Sequence, residues 1–217
     1  MRISTFTPVI VTSSFLKKLS IRFRFHVLRI STIACNLTLA YNLVGGKREN
    51  MIVIVDYDAG NLKSVQRACK KVGMTALISD DPEKVSRADK VIFPGVGSAE
   101  SAMVTLKDKG LDTALNEVAQ KGRPVLGICL GLQILLDHTE EGNKDCLGLV
   151  GGASERFRFS VGDIKVPHIG WNAISLVGSH PMVENIMSGD QFYFVHSYRA
   201  KLVDEKEVIA TTEYGDS

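Results

Sequence analysis

The sequence predicts an α/β protein: a doubly wound, mainly parallel sheet flanked by helices, with a smaller antiparallel portion. Three observations carry this expectation. From residue 51 onward, short apolar β-branched runs alternate with stretches of helical period. Glycine-rich turns follow the apolar runs, where strands would end. After Gly148 the texture changes to shorter strand-like runs separated by turns.

Each element follows from its residues. "MIVIVDYDAGN" is an apolar run of strand length closed by a turn. "LKSVQRACKKVG" then places Leu62, Val65, Ala68, Cys69 and Val72 on one helical face and stops at Gly73, with Asn61 read as the helix N-cap. "TALISD" is a short strand, and "DPEKVSRA" opens with an Asp-Pro helix signal. "DKVIFPGVGS" is a buried strand running into a glycine loop, and "ESAMVTLKDKGLDTALNEVAQKG" reads as helix, turn, helix. "RPVLGIC" is a strand again, and "LGLQILLDHT" a helix. The runs "GGASERFRFS", "KVPHIGWNAISLV" and "QFYFVHSYRA" have antiparallel character. Ligands of such a sheet are expected at the carboxyl ends of its parallel strands.

Composition narrows the class. The 217 residues are 45% hydrophobic and 23% charged, ordinary for a globular chain. The four cysteines are widely spaced, with no C-x-x-C pair and no Cys/His cluster of zinc spacing, so no metal site is expected and the thiols read as free. Residues 1–50 hold eight Lys/Arg and one acid, Glu49. The rest therefore holds 18 basic and 23 acidic residues, a mildly acidic body without a nucleic-acid footprint. The first fifty residues are rich in Ser, Thr and Arg, the composition of an organelle transit peptide, with the plastid the foremost destination; a disordered leader on a cytoplasmic protein is the other reading. The uncharged stretch 30–44 is too short to span a bilayer. The expected boundary lies in "GGKREN", which leaves residues 51–217 as the globular domain.

The chemistry is expected at "VLGICLGLQ". Gly127-Ile128-Cys129-Leu130-Gly131 has the form of a strand–nucleophile–helix elbow with cysteine as the nucleophile. Such a turn is strained, so its neighbours two positions away must be small. The turn lifts the thiol over the sheet edge, and the following helix aims its dipole and free N–H groups at the sulfur. The backbone N–H of Leu130 is a natural oxyanion donor. The competing reading makes Cys129 a small buried hydrophobe. The loop "PGVGS" closes the preceding strand and offers the N–H groups of Val96 and Gly97 to the same oxyanion. It is also a near miss for a dinucleotide loop, with Glu100 where the third glycine would be. Gln133 lies one helical turn after Cys129, on its face. Trp171, the single tryptophan, fits a core anchor or an interface hot spot equally.

Together these residues resemble the class I glutamine amidotransferases, which have a flavodoxin-like fold. "PVLGICLGLQ" resembles their nucleophile motif, and "DYDAGNLKSV", "FPGVGS", "KVPHIGWN" and "FYFVHSYR" narrow the resemblance to the glutaminase part of imidazole glycerol phosphate synthase, in histidine biosynthesis. It covers nearly all of residues 51–217. The resemblance implies that Cys129 attacks the side-chain amide of glutamine, forming a thioester and releasing ammonia to a cyclase barrel, with no cofactor. It implies that Val96, Gly97 and Leu130 form the oxyanion and glutamine-binding backbone. Gln133, Ser197 and Tyr198 would line the glutamine pocket, and His168, Trp171 and Asn172 would face the cyclase.

A thiol nucleophile also needs a base and an orienter. The family supplies them from a His-Pro-Glu motif that does not occur here; the sequence closes with "ATTEYGDS". The expectation is therefore a domain incomplete at its C-terminus and this exact chain inactive, keeping at most its glutamine-pocket and docking surfaces. The cyclase is expected as a separate subunit or a missing downstream fusion. His138, expected at the far end of the elbow helix, His180 and His196 do not match the family's base; His196 is the strongest substitute among them. A cysteine hydrolase of other specificity on the same fold is the remaining alternative.

Overall fold

A computed structural model describes residues 51–58, 61–159 and 164–215. The transit-peptide expectation for residues 1–50 lies outside the described residues.

Four parallel strands carry the fold: β1 (Ile52–Val55), β2 (Ala76–Ser79), β3 (Lys90–Gly95) and β4 (Val125–Cys129). Their spatial order is β2-β1-β3-β4, the expected doubly wound sheet. Apolar residues at consecutive strand positions fill both faces. Val53, Val55, Val91, Phe93 and Val125 join the larger core, against α2 (Pro82–Arg87), α3 (Ala99–Asp108) and α4 (Leu111–Gln120). Ile52, Ile54, Ile92 and Ile128 join the opposite core, against Val65 and Cys69 of α1 (Leu62–Lys71). Leu106, Leu111, Leu115 and Phe93 are wholly buried. Each such side chain contributes about 1.5–3 kcal/mol relative to exposure.

Local signals mostly place the helix ends. Asp81 caps α2, its carboxylate accepting from the Glu83 N–H at 2.9 Å with Pro82 following. Ser98 caps α3 through the Ser101 N–H at 3.3 Å. Asn61 stands at the N-cap position of α1 in a left-handed conformation, φ 75°, but its side chain makes no capping bond, so that part of the expectation fails.

The run "LGLQILLDHT" departs from expectation. It forms a helix, α5, only over Leu130–Leu135, then continues directly as strand β5 (Leu136–Thr139). The physical reason is competition for carbonyls. The N–H groups of Leu147, Leu149 and Gly148 take the carbonyls of Ile134, Leu135 and Leu136, each at 2.9 Å. A continuing helix would have used those carbonyls itself. His138 consequently sits on a strand, beside Asp145 at 3.2 Å, and not at a helix end.

From β5 the chain builds a second sheet of order β11-β7-β5-β6, with β6 (Lys144–Asp145), β7 (Val150–Arg156) and β11 (Tyr198–Leu202). A hairpin-like pair joins β8 (His168–Ala173) to β10 (Gln191–His196), antiparallel, with Trp171 opposite Tyr193. Two short strands, β9 (Ser175–Leu176) and β12 (Ala210–Thr211), pair at the periphery. "QFYFVHSYRA" is thus two strands in two different sheets, β10 and β11, joined at Ser197.

Candidate active site

Cys129 ends β4 with φ 56° and ψ −119°, a backbone that non-glycine residues rarely adopt. Strand alternation would send its side chain to the face of Val125. Instead it packs beside Ile128 and the opposite core, because the positive φ breaks the alternation. This is the strained elbow the sequence anticipates.

The glycines around it are sterically required. A Cβ on Gly131 would collide with the Phe93 carbonyl oxygen, and one on Gly127 would stand 2.7 Å from the Leu132 Cα. A Cβ on Gly95 would strike the Tyr57 hydroxyl and lie 2.6 Å from the Gly131 nitrogen. β3 and the first turn of α5 therefore touch backbone to backbone. Gly95 is the register partner of Cys129, so the loop carrying Val96 and Gly97 leaves the sheet beside the nucleophile. Gly97 has φ 100° and Val96 is exposed. With six residues, α5 contributes little macrodipole; what it offers is the N–H groups of its first turn, which have no carbonyl within the helix to bond.

The loop is held from outside by residues that sequence reading missed. Glu141, in the turn after β5, accepts the Ala99 N–H at 3.0 Å, and Lys144 pairs with Glu100 at 2.8 Å. Nothing in local sequence links position 141 to position 99. Tyr57, beneath Gly95, stands in the quoted "DYDAGN" run, yet no spacing rule gives it a role.

Among the described residues Cys69, Cys129 and Cys146 form no disulfide. Burial pushes Cys69 up to about 11, and burial together with the Asp145 charge does the same to Cys146. Both are therefore poor nucleophiles at neutral pH.

The remaining expected residues divide. Gln133 is buried in α5, one turn beyond Cys129. Ser197 and Tyr198 lie at the β10–β11 junction, where the Ser197 carbonyl accepts the Phe157 N–H at 3.0 Å. Trp171 is half-exposed, edge-on to Tyr193 with centroids 5.6 Å apart, and shares an open apolar face with Ile169 and Val195. His168 does not share that face. It is 3% exposed, stacked on Tyr214 at 3.8 Å and on Phe194 at 4.7 Å. Strand alternation puts 168 and 171 on opposite sides of β8, and Ile169 takes the exposed position. Asn172 is likewise turned inward, donating to the Glu213 carbonyl at 2.6 Å.

The described histidines are engaged elsewhere. His196 Nδ1–H donates to the Tyr198 carbonyl at 2.8 Å, which leaves Nε2 to accept from His168 Nδ1 at 3.1 Å. Both nitrogens of His196, the strongest substitute base, are thus occupied. His180 Nδ1 accepts the Met182 N–H at 3.2 Å. Burial, with a smaller contribution from the His196 charge, lowers His168 to about 4; burial also lowers His196 and His180. No group of three metal-ligating side chains occurs among the described residues, and no helix there is long and apolar enough to cross a membrane.

A doubly wound parallel sheet with cysteine at a strained strand-to-helix elbow is the setting of a nucleophile, as the resemblance to the class I glutamine amidotransferases implies. Residues 52–153 match the CobB/CobQ-like glutamine amidotransferase domain family. The chain is 44% identical over 166 residues to the imidazole glycerol phosphate synthase subunit HisH of Dehalococcoides mccartyi strain CBDB1, covering 76% of this chain and 80% of that protein. It is 42% identical to HisH 2 of Methanococcus maripaludis, covering 76% and 81%, and 42% identical to HisH of Neisseria meningitidis serogroup B, covering 74% and 81%. A crystal structure of a glutamine amidotransferase matches with a TM-score of 0.57 at 17% identity, over 73% of this chain and 78% of that one, a likeness of fold alone. The chain belongs to the HisH family of class I glutamine amidotransferases, the glutaminase subunits of imidazole glycerol phosphate synthase in histidine biosynthesis.

Proposed function

We propose that Cys129 is the nucleophile of glutamine hydrolysis and that the ammonia goes to a separate cyclase subunit. The observation that carries this reading is the elbow: a cysteine at φ 56° in register with Gly95, between glycines that admit no side chain. The thiolate attacks the side-chain amide carbon of glutamine. The Leu130 N–H, with those of Val96 and Gly97, takes the oxyanion; the proton given up by the thiol passes to the amide nitrogen, which leaves as ammonia as the thioester forms, and water releases glutamate. Gln133, Ser197 and Tyr198 line the glutamine pocket in this reading.

The cyclase docks on the apolar face of β8 and β10, where Ile169, Trp171 and Val195 are exposed. Trp171→Ala should weaken cyclase binding at least tenfold by titration calorimetry, as loss of an aromatic anchor does, at about 1.4 kcal/mol per tenfold. An unchanged affinity would remove Trp171 from the interface.

A second reading has its own support. Each of the four described histidines is hydrogen-bonded to a group other than Cys129, which supports a chain that turns glutamine over slowly or not at all while keeping a reactive Cys129. Glutamate release, measured with the cyclase and its nucleotide ligand present, separates the two. Turnover that vanishes in Cys129→Ala supports the glutaminase; a Cys129 adduct without turnover supports the second reading. Residues 1–50 act as an organelle transit peptide, plastid-directed, on the strength of their basic, Ser/Thr-rich composition. Mapping the N-terminus of the native protein tests this, and retention of those residues would refute it.

A further inference from the structure

Tyr57 follows β1 and is 3% exposed, its ring against Phe93 with centroids 5.2 Å apart. Its hydroxyl is buried and has no hydrogen-bond partner among the described residues. Folded proteins rarely leave a buried hydroxyl in that state, because it gives up water and gains nothing in exchange. Its location supplies the reason. The hydroxyl abuts the Gly95 Cα, where a Cβ would also meet the Gly131 nitrogen at 2.6 Å and the Leu130 Cβ at 2.8 Å. It therefore occupies the seam between the end of β3 and the first turn of α5, beside the register pair Gly95–Cys129.

The segment is held there. The Asp58 N–H donates to Asp56 Oδ1 at 3.1 Å, and the Lys109 ammonium reaches Asp58 at 3.0 Å and Asp80 at 3.8 Å. These contacts tie the turn behind Tyr57 at the surface, and burial against Phe93 holds the ring itself.

We propose that Tyr57 is a positioning residue for the nucleophile: its unpaired O–H is a dipole set under the elbow to favour the negative charge that appears when Cys129 loses its proton. The proposal rests on the reading of Cys129 as nucleophile. In this step the S–H bond breaks, its proton leaves to a base or to water, and the electron pair stays on sulfur. Tyr57 keeps its own proton, and its hydroxyl dipole acts on the thiolate through space, across the Gly95–Cys129 register pair. Burial, and after it the charge at Cys129, hold the phenol well above its ordinary range, so it stays a donor through the neutral region. A phenylalanine would pack the same ring on Phe93 and offer no dipole.

The test uses the 217-residue chain and iodoacetamide. Alkylation at each thiol is followed by peptide mass spectrometry from pH 5.5 to 9.5, in wild type and in Tyr57→Phe, with thermal melts alongside. The phenylalanine variant should melt no lower than wild type, since it removes an orphan hydroxyl. Its Cys129 alkylation midpoint should rise by about half a pH unit, and its rate at pH 7 should fall about threefold. An unmoved midpoint overturns the proposal.

A second measurement leaves Tyr57 in place. The tyrosine absorption band should shift between pH 6 and 9 with the alkylation midpoint in wild type, and should not shift in Cys129→Ser. Identical spectra in the two proteins overturn the proposal. If wild-type Cys129 reacts no faster than Cys69 and Cys146, the nucleophile reading itself fails. A fast Cys129 with an unmoved midpoint sinks only the role of Tyr57.

Discussion

Acid should unfold this protein through His168. The ring is buried between Tyr214 and Phe194 and lowered to about 4, whereas an unfolded histidine titrates near 6.5. The native imidazole is therefore neutral where the unfolded one is already protonated. Between these values the unfolded state binds more protons, so stability is complete above pH 6.5 and falls as the pH drops toward 4. Linkage with these two values gives a loss of about 2 kcal/mol at pH 5 and about 3 kcal/mol at pH 4. His196 and His180 are lowered by burial and act in the same direction, so the contribution of His168 must be read as a difference. The perturbation is His168→Phe, which keeps an aromatic ring in the stack. Urea unfolding of both proteins at pH 7.5, 6, 5 and 4.5 gives two stability curves. The variant starts lower, because His196 Nε2 loses its donor. It should then lose less stability than wild type on acidification, the gap closing by about 2 kcal/mol at pH 5. Parallel curves between pH 7.5 and 4.5 would refute the assignment of the acid sensitivity to this ring.

Other perturbations probe the elbow and its frame. Gly131→Ala drives a Cβ into the Phe93 carbonyl and should cost several kcal/mol, on the order of the largest core substitutions, with loss of Cys129 alkylation; a variant that melts within a degree or two of wild type would contradict the packing. Cys129→Gly should be more stable than Cys129→Ala by about 1 kcal/mol in denaturant unfolding, because glycine accepts φ 56° and alanine does not; equal stabilities would mean the turn stores no strain. Asp81→Ala removes the α2 cap and should lower the melting temperature without altering Cys129 reactivity, a separation visible by running melts and alkylation on one sample.

The parallel sheet and the elbow were legible in the sequence because both rest on local rules. Consecutive apolar residues in "IVIV" and "VIF" can be satisfied only by a strand buried on both faces, and the spacing Gly127-x-Cys129-x-Gly131 reports the crowding of a single turn. The sequence also singled out Cys129 among the four cysteines, since it stands between glycines at a strand-to-helix turn. What it could not determine depends on residues far apart in the chain. The length of α5 was decided by residues 147–149 taking the carbonyls of its last turn. The burial of His168 was decided by Tyr214, 46 positions later, stacking on it, so the "PHIGWN" run presents Ile169 and Trp171 outward and not His168. The direction of the Cys129 side chain came from a positive φ that overrides strand alternation. The placement of the Tyr57 hydroxyl against Gly95 came from two parallel strands meeting side by side. Period and composition describe a chain against solvent, one segment at a time. Hydrogen-bond competition, ring stacking and backbone strain arise only when distant segments meet, so they belong to the tertiary structure.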